Sequence, residues 1–288
     1  VVGMGGMGWF HAARYLQLPD AALVAVADIV PERLEPKGAV QINLERGESS
    51  FDFSKVTRYA EAGQLIAEAD VDVVDICLPT YLHAPYAITA LEAGRHVLCE
   101  KPMALNTVDA DRMAAAAQKA GRLLMIAQCI RFWPEYMFLR RCVDEGTYGR
   151  LLSLNMWRMG GRPGWSVDNW FLDPARSGGM LLDLHIHDVD YVGSVFGMPD
   201  SLDVMGRMSA GAKTYDVVHA NFAYKDGPQV HMHAGWSAAQ IPFQAGFEAW
   251  FDRGFLVYDD GVLQVYDDME KVDAKSVDYE RGDGYLNE

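Results

Sequence analysis

The chain has 288 residues, half of them hydrophobic, and carries a formal net charge of −15 at pH 7. This length and apolar content suffice for one large or two ordinary globular domains with buried cores. Because the charge is negative and no basic stripe is present, nucleic acid and anionic membrane surfaces are poor partners. A small neutral or weakly polar molecule is the better candidate for a substrate.

Cysteine usage and hydropathy bear on where the protein works. The cysteines lie inside apolar runs without C-x-x-C spacing, which is typical of reduced core residues. They are Cys77, Cys99, Cys129 and Cys142. No stretch approaches the roughly 18 consecutive apolar residues of a membrane-spanning helix. We therefore expect a cytoplasmic protein.

The chain opens with a glycine-rich motif. Residues Gly3–Gly8 fit G-x-G-x-x-G, and a helix is predicted directly after them over 9–18. An apolar strand over 23–27 then ends at Asp28, twenty residues after Gly8. This order of glycine turn, helix, strand and acid predicts a dinucleotide-binding site.

Each part of that motif has a physical role. Gly3 permits the tight turn, Gly5 lets a pyrophosphate approach the backbone, and Gly8 lets the helix pack close to the strand. The helix N-terminus offers free N–H groups to the phosphates. Asp28 would accept hydrogen bonds from the adenosine ribose and repel a 2′-phosphate, so NAD is favoured over NADP.

Up to residue 127, strands and helices alternate in the pattern of an α/β Rossmann fold, a doubly wound parallel sheet. Strands are predicted at 23–27, 72–77, 96–99 and 123–127. Helices are predicted at 9–18, 61–69, 84–93 and 107–120. Residues 29–60 are interrupted by prolines and predict only a short helix and a loop. We expect an NAD(P)-binding domain over 1–127.

From residue 128 the pattern becomes rich in alternating strands. They are predicted at 151–157, 201–208, 217–224, 229–236, 247–251 and 255–258, with Asp-Gly turns at 226–227 and 260–261. One helix is predicted over 179–196. This indicates an α+β C-terminal domain over 128–288, with a large, mostly antiparallel open sheet, for substrate binding and oligomerisation. Because one face of such a sheet needs a cover, we expect a homodimer or homotetramer.

Both ends of the chain are predicted to be truncated. Only two residues precede Gly3, whereas a strand before such a turn normally has about five. The last residues, 284–288, resemble the start of an interrupted helix.

The ends of two predicted parallel strands carry polar residues. One strand leads into Pro79, Thr80 and His83, and the next leads into Glu100 and Lys101. Doubly wound sheets bind their ligands at these strand ends. We therefore expect Lys101 to face the cofactor crevice and to exchange a proton with a substrate hydroxyl. The alternative, an exposed loop lysine, would be favoured for a lysine without this context.

A second group lies on the predicted helix 179–196. Asp183 and His187 are four residues apart and so share a helix face, which suits general acid/base chemistry. His185 and Asp188 fall on other faces, where we expect packing or surface residues.

A metal site is the weaker interpretation of these histidines. Asp183, His185, His187, His231 and His233 are ligand types that zinc or manganese accepts. However, His185 and His187 cannot share a helix face, and nothing in the sequence places the other two histidines near that helix. We predict no metal.

Downstream of Arg131, the segment over 157–171 is rich in aromatic residues. Trp165, Asn169 and Trp170 have the composition of a sugar-binding wall, because flat rings cover the apolar faces of pyranose or cyclitol rings. Core packing explains the tryptophans equally well.

Taken in chain order, these motifs resemble the glucose-fructose oxidoreductase/inositol dehydrogenase (Gfo/Idh/MocA) family over nearly the whole chain. The matching residues are the glycine motif, Asp28, Pro79 with His83, Glu100-Lys101-Pro102, Arg131-Phe132 with Pro134, and Gly178-Gly179 before Asp183 and His187. Glu-Lys-Pro combined with a downstream Asp-x-x-x-His is a highly specific pair of motifs.

The resemblance implies roles for these residues. Lys101 and His187 would act on the reacting hydroxyl, and Asp183 would bind a neighbouring hydroxyl or orient His187. The expected cofactor contacts are Gly3, Gly5, Gly6, Met7, Gly8, Asp28, Pro79, Thr80, His83, Glu100, Lys101 and Arg131. The expected substrate contacts are Lys101, Arg131, Trp165, Asn169, Trp170, Asp183 and His187.

Two positions depart from the family pattern. His185 replaces the glycine of Asp-x-Gly-x-His, which puts a bulkier polar group near the site, and Leu78 replaces the usual threonine before Pro79. The resemblance implies an NAD-dependent dehydrogenase that transfers hydride between nicotinamide and a secondary alcohol of a sugar, sugar derivative or cyclitol. An NAD-retaining glycosidase or epimerase with transient redox chemistry, and a non-catalytic NAD(H)-sensing regulator, remain as alternatives.

Overall fold

The computed structural model describes residues 1–35, 53–164, 166–267 and 270–272. The chain divides into two compact units. Unit 1 consists of Val1–Ala127 and Ala175–Ser177, and unit 2 of Gln128–Pro174 and Gly178–Glu288.

Unit 1 alternates short strands with helices. Its helices are α1 (Gly6–Tyr15), α2 (Ala62–Glu68), α3 (His83–Glu92) and α4 (Thr107–Ala120). Its strands are β1 (Ala25–Ala27), β2 (Thr57–Tyr59), β3 (Val73–Ile76), β4 (His96–Glu100) and β5 (Leu124–Ala127). Short 3-10 turns lie at Pro31–Leu34, Phe53–Lys55 and Thr80–Leu82.

All strand pairs described in unit 1 are parallel. β1 pairs with β2, and β3, β4 and β5 pair in that order. Val2 forms parallel bridges with both Ala27 and Ile76 and so links the two groups of strands. Parallel strands joined by helices bring the carboxyl ends of the strands to one edge of the sheet. The prediction of a doubly wound parallel sheet is confirmed.

Two details of unit 1 differ from the predicted elements. Helix α1 begins at Gly6, three residues earlier than predicted, because the last residues of the glycine turn already form its first turn. Strand β2 falls where only a short helix and a loop were predicted. It is three residues long and exposed at Thr57 and Arg58, so it leaves no apolar run to detect.

Unit 2 is built around one large sheet. Its strands are β6 (Leu151–Gly161), β7 (Ser201–Arg207), β8 (Val217–Ala223), β9 (Gln229–Ser237), β10 (Gln244–Phe251), β11 (Gly254–Asp259), β12 (Val262–Asp267) and β13 (Glu270–Val272). Helices α5 (Pro134–Glu145) and α7 (Ile186–Phe196) belong to this unit, and the one-turn α6 (Pro174–Ser177) precedes α7. Further short turns lie at Cys129–Phe132, Val167–Leu172 and Leu181–His185.

The eight strands lie in the order β13-β12-β11-β10-β6-β9-β8-β7. Every neighbouring pair is antiparallel except β6 and β9. The predicted large, mostly antiparallel sheet is confirmed, and so are both Asp-Gly turns, which join β8 to β9 and β11 to β12.

Helix α5 was not predicted. Its signals were present in the sequence, because Pro134 occupies the first turn and Gly146 ends the helix with a φ of 65°. Tyr136, Leu139 and Cys142 form its buried side. The ring of Tyr136 packs edge-on against four aromatic rings, those of Trp133, Tyr191, Phe247 and Tyr258. The helix therefore supplies the centre of the core of unit 2.

In the part of the chain that the structure describes, no helix combines the length and the apolar character needed to cross a membrane.

Candidate functional site

The glycine turn between Val2 and α1 is fixed by close backbone approach. Gly3 has a φ of +87°, and a Cβ atom there would lie 2.6 Å from the carbonyl oxygen of Cys77. A Cβ on Gly8 would lie 1.9 Å from the carbonyl oxygen of Gly3. A Cβ on Gly5 would meet no atom within 4 Å. Gly3 and Gly8 are thus required by the fold, whereas Gly5 borders open space at the start of α1.

Asp28 follows β1 and ties the second strand to the glycine turn. Its Oδ2 accepts the backbone N–H of Met4 at 2.8 Å, and its Oδ1 accepts that of Val30 at 2.8 Å. The Nη1 atom of Arg33 lies 3.8 Å from Oδ2. Each carboxylate oxygen can accept a further hydrogen bond, so the group retains capacity for ribose hydroxyls. The open space at Gly5, with Gly6 and Met7 starting the helix, fits a dinucleotide pyrophosphate.

Lys101 lies on a loop that is held on both sides. Before it, Glu100 ends β4 and accepts the N–H of Lys101 through Oε2 at 3.0 Å. After it, the carbonyl oxygen of Pro102 lies 2.8 Å from Nδ1 of His83. The loop therefore fixes the backbone of Lys101 at the carboxyl end of a parallel strand.

His83 is buried at the start of α3 and contacts backbone on both sides of its ring. Its Nε2 lies 2.8 Å from the carbonyl oxygen of Leu78, opposite the Pro102 contact. Burial lowers the pKa of His83, while the two carbonyl contacts oppose that shift. Pro79 and Thr80 connect β3 to this helix, and the Thr80 side chain is buried. His83 thus joins the two strand-end loops of unit 1.

A buried polar cluster lies beneath the Lys101 loop and was not predicted. His11 on α1 contacts Asp75 of β3 through Nδ1 at 3.0 Å and Glu100 through Nε2 at 3.1 Å. Tyr15 donates its hydroxyl to Asp75 at 2.8 Å. Glu100 therefore connects this cluster to the backbone of Lys101.

Asp183 and His187 lie four residues apart in one continuous helical segment of unit 2. Two glycines with left-handed backbone, Gly178 and Gly179, precede it. The prediction of a single α-helix is corrected here, because Leu181–His185 is a π-helical turn and α7 begins at Ile186. Asp183 therefore lies in the π-turn and His187 in the first turn of α7. Such π-turns occur frequently at functional sites.

The neighbouring residues of this segment point into the interior. Asp188 is fully buried and accepts hydrogen bonds from Nε and Nη2 of Arg158, the shortest at 2.9 Å. His185 is also buried, and within the described residues neither of its ring nitrogens has a hydrogen-bond partner. Burial lowers the pKa of His185, which favours the neutral ring. Both residues thus pack inside unit 2. The sequence analysis had allowed either a packed or a surface position for them.

Arg131 is oriented by α7. Its Nε and Nη2 atoms donate to the two carboxylate oxygens of Asp190 at 2.7 and 2.5 Å. The hydrogen bond with Asp190 raises the pKa of the Arg131 guanidinium. This paired geometry is the strong bidentate form of an ion pair and fixes the plane of the guanidinium.

The predicted aromatic wall is partly described. Trp165 lies outside the described residues. Asn169 and Trp170 lie on the short turn Val167–Leu172, where Asn169 has a φ of 50° and is exposed. The ring of Trp170 stacks on that of Phe171 with the centroids 4.0 Å apart. These residues therefore present polar and aromatic surface close together.

The histidines weighed as metal ligands lie on different elements of unit 2. His231 and His233 lie on β9, and each ring stacks with that of His219 on β8, at centroid distances of 5.6 and 5.2 Å. Among the described residues, one group brings three metal-ligand atoms within 4.8 Å, namely His11, Asp75 and Cys77. Those atoms belong to the hydrogen-bonded cluster of unit 1.

Two family models match consecutive parts of the chain. Residues 1–128 match the model described as "Oxidoreductase family, NAD-binding Rossmann fold", and residues 136–257 match the "GFO/IDH/MocA C-terminal domain". The chain belongs to the GFO/IDH/MocA oxidoreductase family. Unit 1 of this family member is accordingly an NAD-binding Rossmann unit, and the resemblance inferred from the sequence is confirmed.

Individual relatives of this chain agree with the family. Myo-inositol 2-dehydrogenase of Thermotoga maritima is 31% identical over 198 residues, covering 68% of this chain and 54% of that protein. 2,7-anhydro-N-acetylneuraminate hydratase of Escherichia coli is 30% identical over 208 residues, covering 71% of this chain and 52% of that protein. The chain thus spans about half the length of these curated relatives.

Solved structures show the same fold. Levoglucosan dehydrogenase in complex with NADH and levoglucosan superposes with a TM-score of 0.79 at 22% identity. The match covers 97% of this chain and 78% of the other.

Proposed function

We propose that this chain is an NAD-dependent oxidoreductase that transfers hydride between nicotinamide and a secondary alcohol of a sugar, sugar derivative or cyclitol. The observation that carries the proposal is the fixed position of Lys101. It follows β4 in the same parallel sheet whose glycine turn and Asp28 fit the dinucleotide, and Glu100 and His83 hold its loop. The names of the relatives, which refer to inositol and to anhydro sugars, support the substrate class.

In the proposed mechanism the protein side chains handle the proton and the charge. Nicotinamide supplies the hydride acceptor or donor when it is bound. His187 takes the proton of the reacting hydroxyl, and Lys101 stabilises the negative charge that develops on its oxygen. Asp183 orients His187 or binds the adjacent hydroxyl. Arg131, Trp165, Asn169 and Trp170 are proposed to contact the substrate.

The cofactor preference is proposed to be NAD rather than NADP. Asp28 is held by two backbone N–H groups, so its carboxylate remains at the end of β1. A 2′-phosphate would meet this fixed negative charge and bind less well.

We also propose the division of labour and the assembly. Residues 1–127 bind the cofactor, and 128–288 bind the substrate and form a homodimer or homotetramer. The open face of the large sheet supports this assembly, because the half-buried His231 and His233 of β9 alternate with the core residues Val230 and Met232. The four cysteines all lie in the described part of the chain and form no disulfide there, which supports a cytoplasmic location.

The test is absorbance at 340 nm with NAD and NADP against a panel of cyclitols, aldoses, glucosides and nucleotide sugars. We expect NADH formation with at least one member of the panel. Lys101→Ala should lower kcat by about 100-fold or more, because a transition-state charge loses its partner, while NAD binding persists. Lys119→Ala, at an exposed position of α4, is the matched control and should retain activity. Near wild-type kcat in Lys101→Ala would exclude the proposed role.

A reaction without net oxidation is the second candidate function. It is favoured by the E. coli relative, which is named a hydratase, because hydration leaves no net redox change. This function predicts product formation from an anhydro sugar or glycoside without NADH accumulation, with NAD retained through purification. Mass spectrometry of the panel reactions separates the two functions.

A further inference from the structure

The cluster beneath the Lys101 loop places three ionisable side chains in the interior of unit 1. The exposed fractions are 7% for His11, 3% for Asp75 and 8% for Glu100. Burying such groups is costly unless each one is paired and hydrogen-bonded. The three residues come from α1, β3 and β4, so the chain has brought them together from distant positions.

The geometry of His11 determines its protonation. Its two ring nitrogens face Asp75 and Glu100 at 3.0 and 3.1 Å, and ionised carboxylates only accept hydrogen bonds. With both carboxylates ionised, both nitrogens donate and the ring carries a positive charge. Burial opposes this charge, but the neighbouring Cys77 and Asp75 outweigh it and raise the pKa of His11 well above its ordinary value.

The pKa values of the two carboxyl groups, Asp75 and Glu100, are lowered, which favours their ionised forms. Burial on its own raises the pKa of Glu100, but the hydrogen bond and the charge of His11 bring it below the ordinary value. Burial also opposes ionisation of Asp75, and His11 again overcomes that effect. The cluster therefore holds one imidazolium between two carboxylates.

Glu100 uses its two oxygens in different directions. Oε1 contacts Nε2 of His11 at 3.1 Å, and Oε2 accepts the N–H of Lys101 at 3.0 Å. The contact with His11 therefore fixes the orientation of the Glu100 carboxylate. The carboxylate in turn fixes the peptide group of Lys101 through its hydrogen bond. A 1 Å misplacement of a reacting group costs up to about 100-fold in rate.

We infer that His11 is a positioning residue for Lys101, acting through Glu100. This inference rests on the proposed function only in assigning a rate effect to Lys101. A metal held by His11, Asp75 and Cys77 is the competing role for the cluster. The structure favours hydrogen bonding, because Nδ1 of His11 already lies 3.0 Å from Asp75 and Sγ of Cys77 lies 3.6 Å from the other Asp75 oxygen.

Two substitutions at one position separate the two sides of the imidazole. The side-chain nitrogen of His11→Gln takes the place of Nε2 and keeps a donor toward Glu100. The side-chain nitrogen of His11→Asn takes the place of Nδ1 and keeps only the donor toward Asp75. Tyr15→Phe removes a hydrogen bond from the same cluster without touching Glu100, and so controls for general loss of packing.

We expect His11→Asn to lower kcat by roughly 10- to 100-fold with little change in KM. His11→Gln should retain kcat within about 3-fold of the wild-type value, because it keeps the donor toward Glu100 that His11→Asn lacks. Tyr15→Phe should leave kcat near the wild-type value. The readout that needs no activity is the backbone amide resonance of Lys101 in NMR spectra, which should move in His11→Asn and stay in place in His11→Gln.

The outcomes separate this inference from the proposed function. If the wild-type protein oxidises no member of the panel, the proposed function fails, and the Lys101 amide resonance still tests the positioning. Equal kcat values and an unmoved Lys101 amide in both His11 variants would overturn the inference. So would stoichiometric metal in the purified protein that is lost in Cys77→Ser, because the cluster would then be a metal site.

Discussion

Gly5 and Gly8 belong to the same motif, yet a side chain would meet different surroundings at each. A Cβ atom on Gly8 would lie 1.9 Å from a backbone oxygen, whereas one on Gly5 would meet nothing within 4 Å. Packing of the protein against itself thus explains Gly8. We propose that room for a ligand explains Gly5.

The two glycines can be separated by alanine substitution. Gly8→Ala should destabilise the folded protein by several kcal/mol or prevent folding, because backbone must move to admit the methyl group. Gly5→Ala should change the free energy of unfolding by less than about 1 kcal/mol and weaken NAD binding by about 10-fold or more. Urea denaturation measures the free energy of unfolding of both variants. Quenching of tryptophan fluorescence on titration with NAD measures their affinity for the cofactor. Wild-type affinity in a folded Gly5→Ala protein would contradict a pyrophosphate at this position.

Single residues of the site were predictable where chemistry is local in sequence. Asp28 and Lys101 each follow an apolar strand, and their positions at strand ends were expected. The role of His11 was not, because its partners Asp75 and Glu100 lie 64 and 89 residues away and only folding brings them together. The sequence signal that could have indicated a buried polar cluster was the acid Asp75 inside an apolar strand.

At the scale of elements, α7 is attached to the sheet of unit 2 by a buried ion pair. Arg158 of β6 and Asp188 of α7 are each almost fully buried, and Arg158 also donates to the hydroxyl of Tyr136 on α5 at 3.3 Å. One guanidinium therefore joins a strand to two helices. The pair also lies one residue from His187, so it fixes the helix that carries this residue.

Breaking this ion pair should cost far more than breaking an exposed one. Arg158→Leu leaves the Asp188 carboxylate buried without its partner and should lower the free energy of unfolding by about 3–5 kcal/mol. Arg158→Leu combined with Asp188→Leu should recover most of that loss. Arg112→Ala, which breaks the exposed pair with Asp109 on α4, should cost less than about 1 kcal/mol. Equal effects of Arg158→Leu and Arg112→Ala in urea denaturation would contradict this account.

The elements themselves were predicted unevenly. The apolar strands β3, β4 and β5 and the helices between them follow from strand and helix periodicity. Helix α5 was not predicted, although Pro134 in its first turn and Gly146 at its C-cap mark its ends. The π-turn before α7, Leu181–His185, has no periodicity signal of its own.

At the scale of the whole molecule, the charges of unit 1 depend on pH. The folded-state pKa values of Asp75 and Glu100 are lowered, so both groups stabilise the fold above their unfolded values of about 4. That contribution is lost as the pH falls through the folded values. The pKa of His11 is raised, so its contribution is complete below about 6.5 and is lost as the pH rises through its folded value.

The pKa shifts of His11, Asp75 and Glu100 together predict a pH range in which the cluster stabilises the fold most. The difference in unfolding free energy between wild type and His11→Gln should be largest at about pH 5–6 and should decline on both sides. Urea denaturation from pH 3.5 to 10 measures this difference. A difference that grows steadily with increasing pH would show that His11 is neutral in the folded protein.

The fold class of both units was accessible from sequence, whereas pairings between distant strands were not. Alternation of strands and helices indicated the parallel sheet, and alternating apolar residues indicated the antiparallel one. The parallel pairing of β6 with β9 joins segments that begin 78 residues apart, at Leu151 and Gln229. No local pattern specifies such a contact.

Hydride transfer itself is the most direct test of the proposed function. Cyclitols and pyranoses deuterated on every carbinol carbon are incubated with NAD and the protein, and the recovered cofactor is examined by mass spectrometry. We expect NADH carrying one deuterium with a substrate that turns over, and loss of this product in Lys101→Ala. Product formation with no deuterium in either free or protein-retained cofactor would contradict the proposed function.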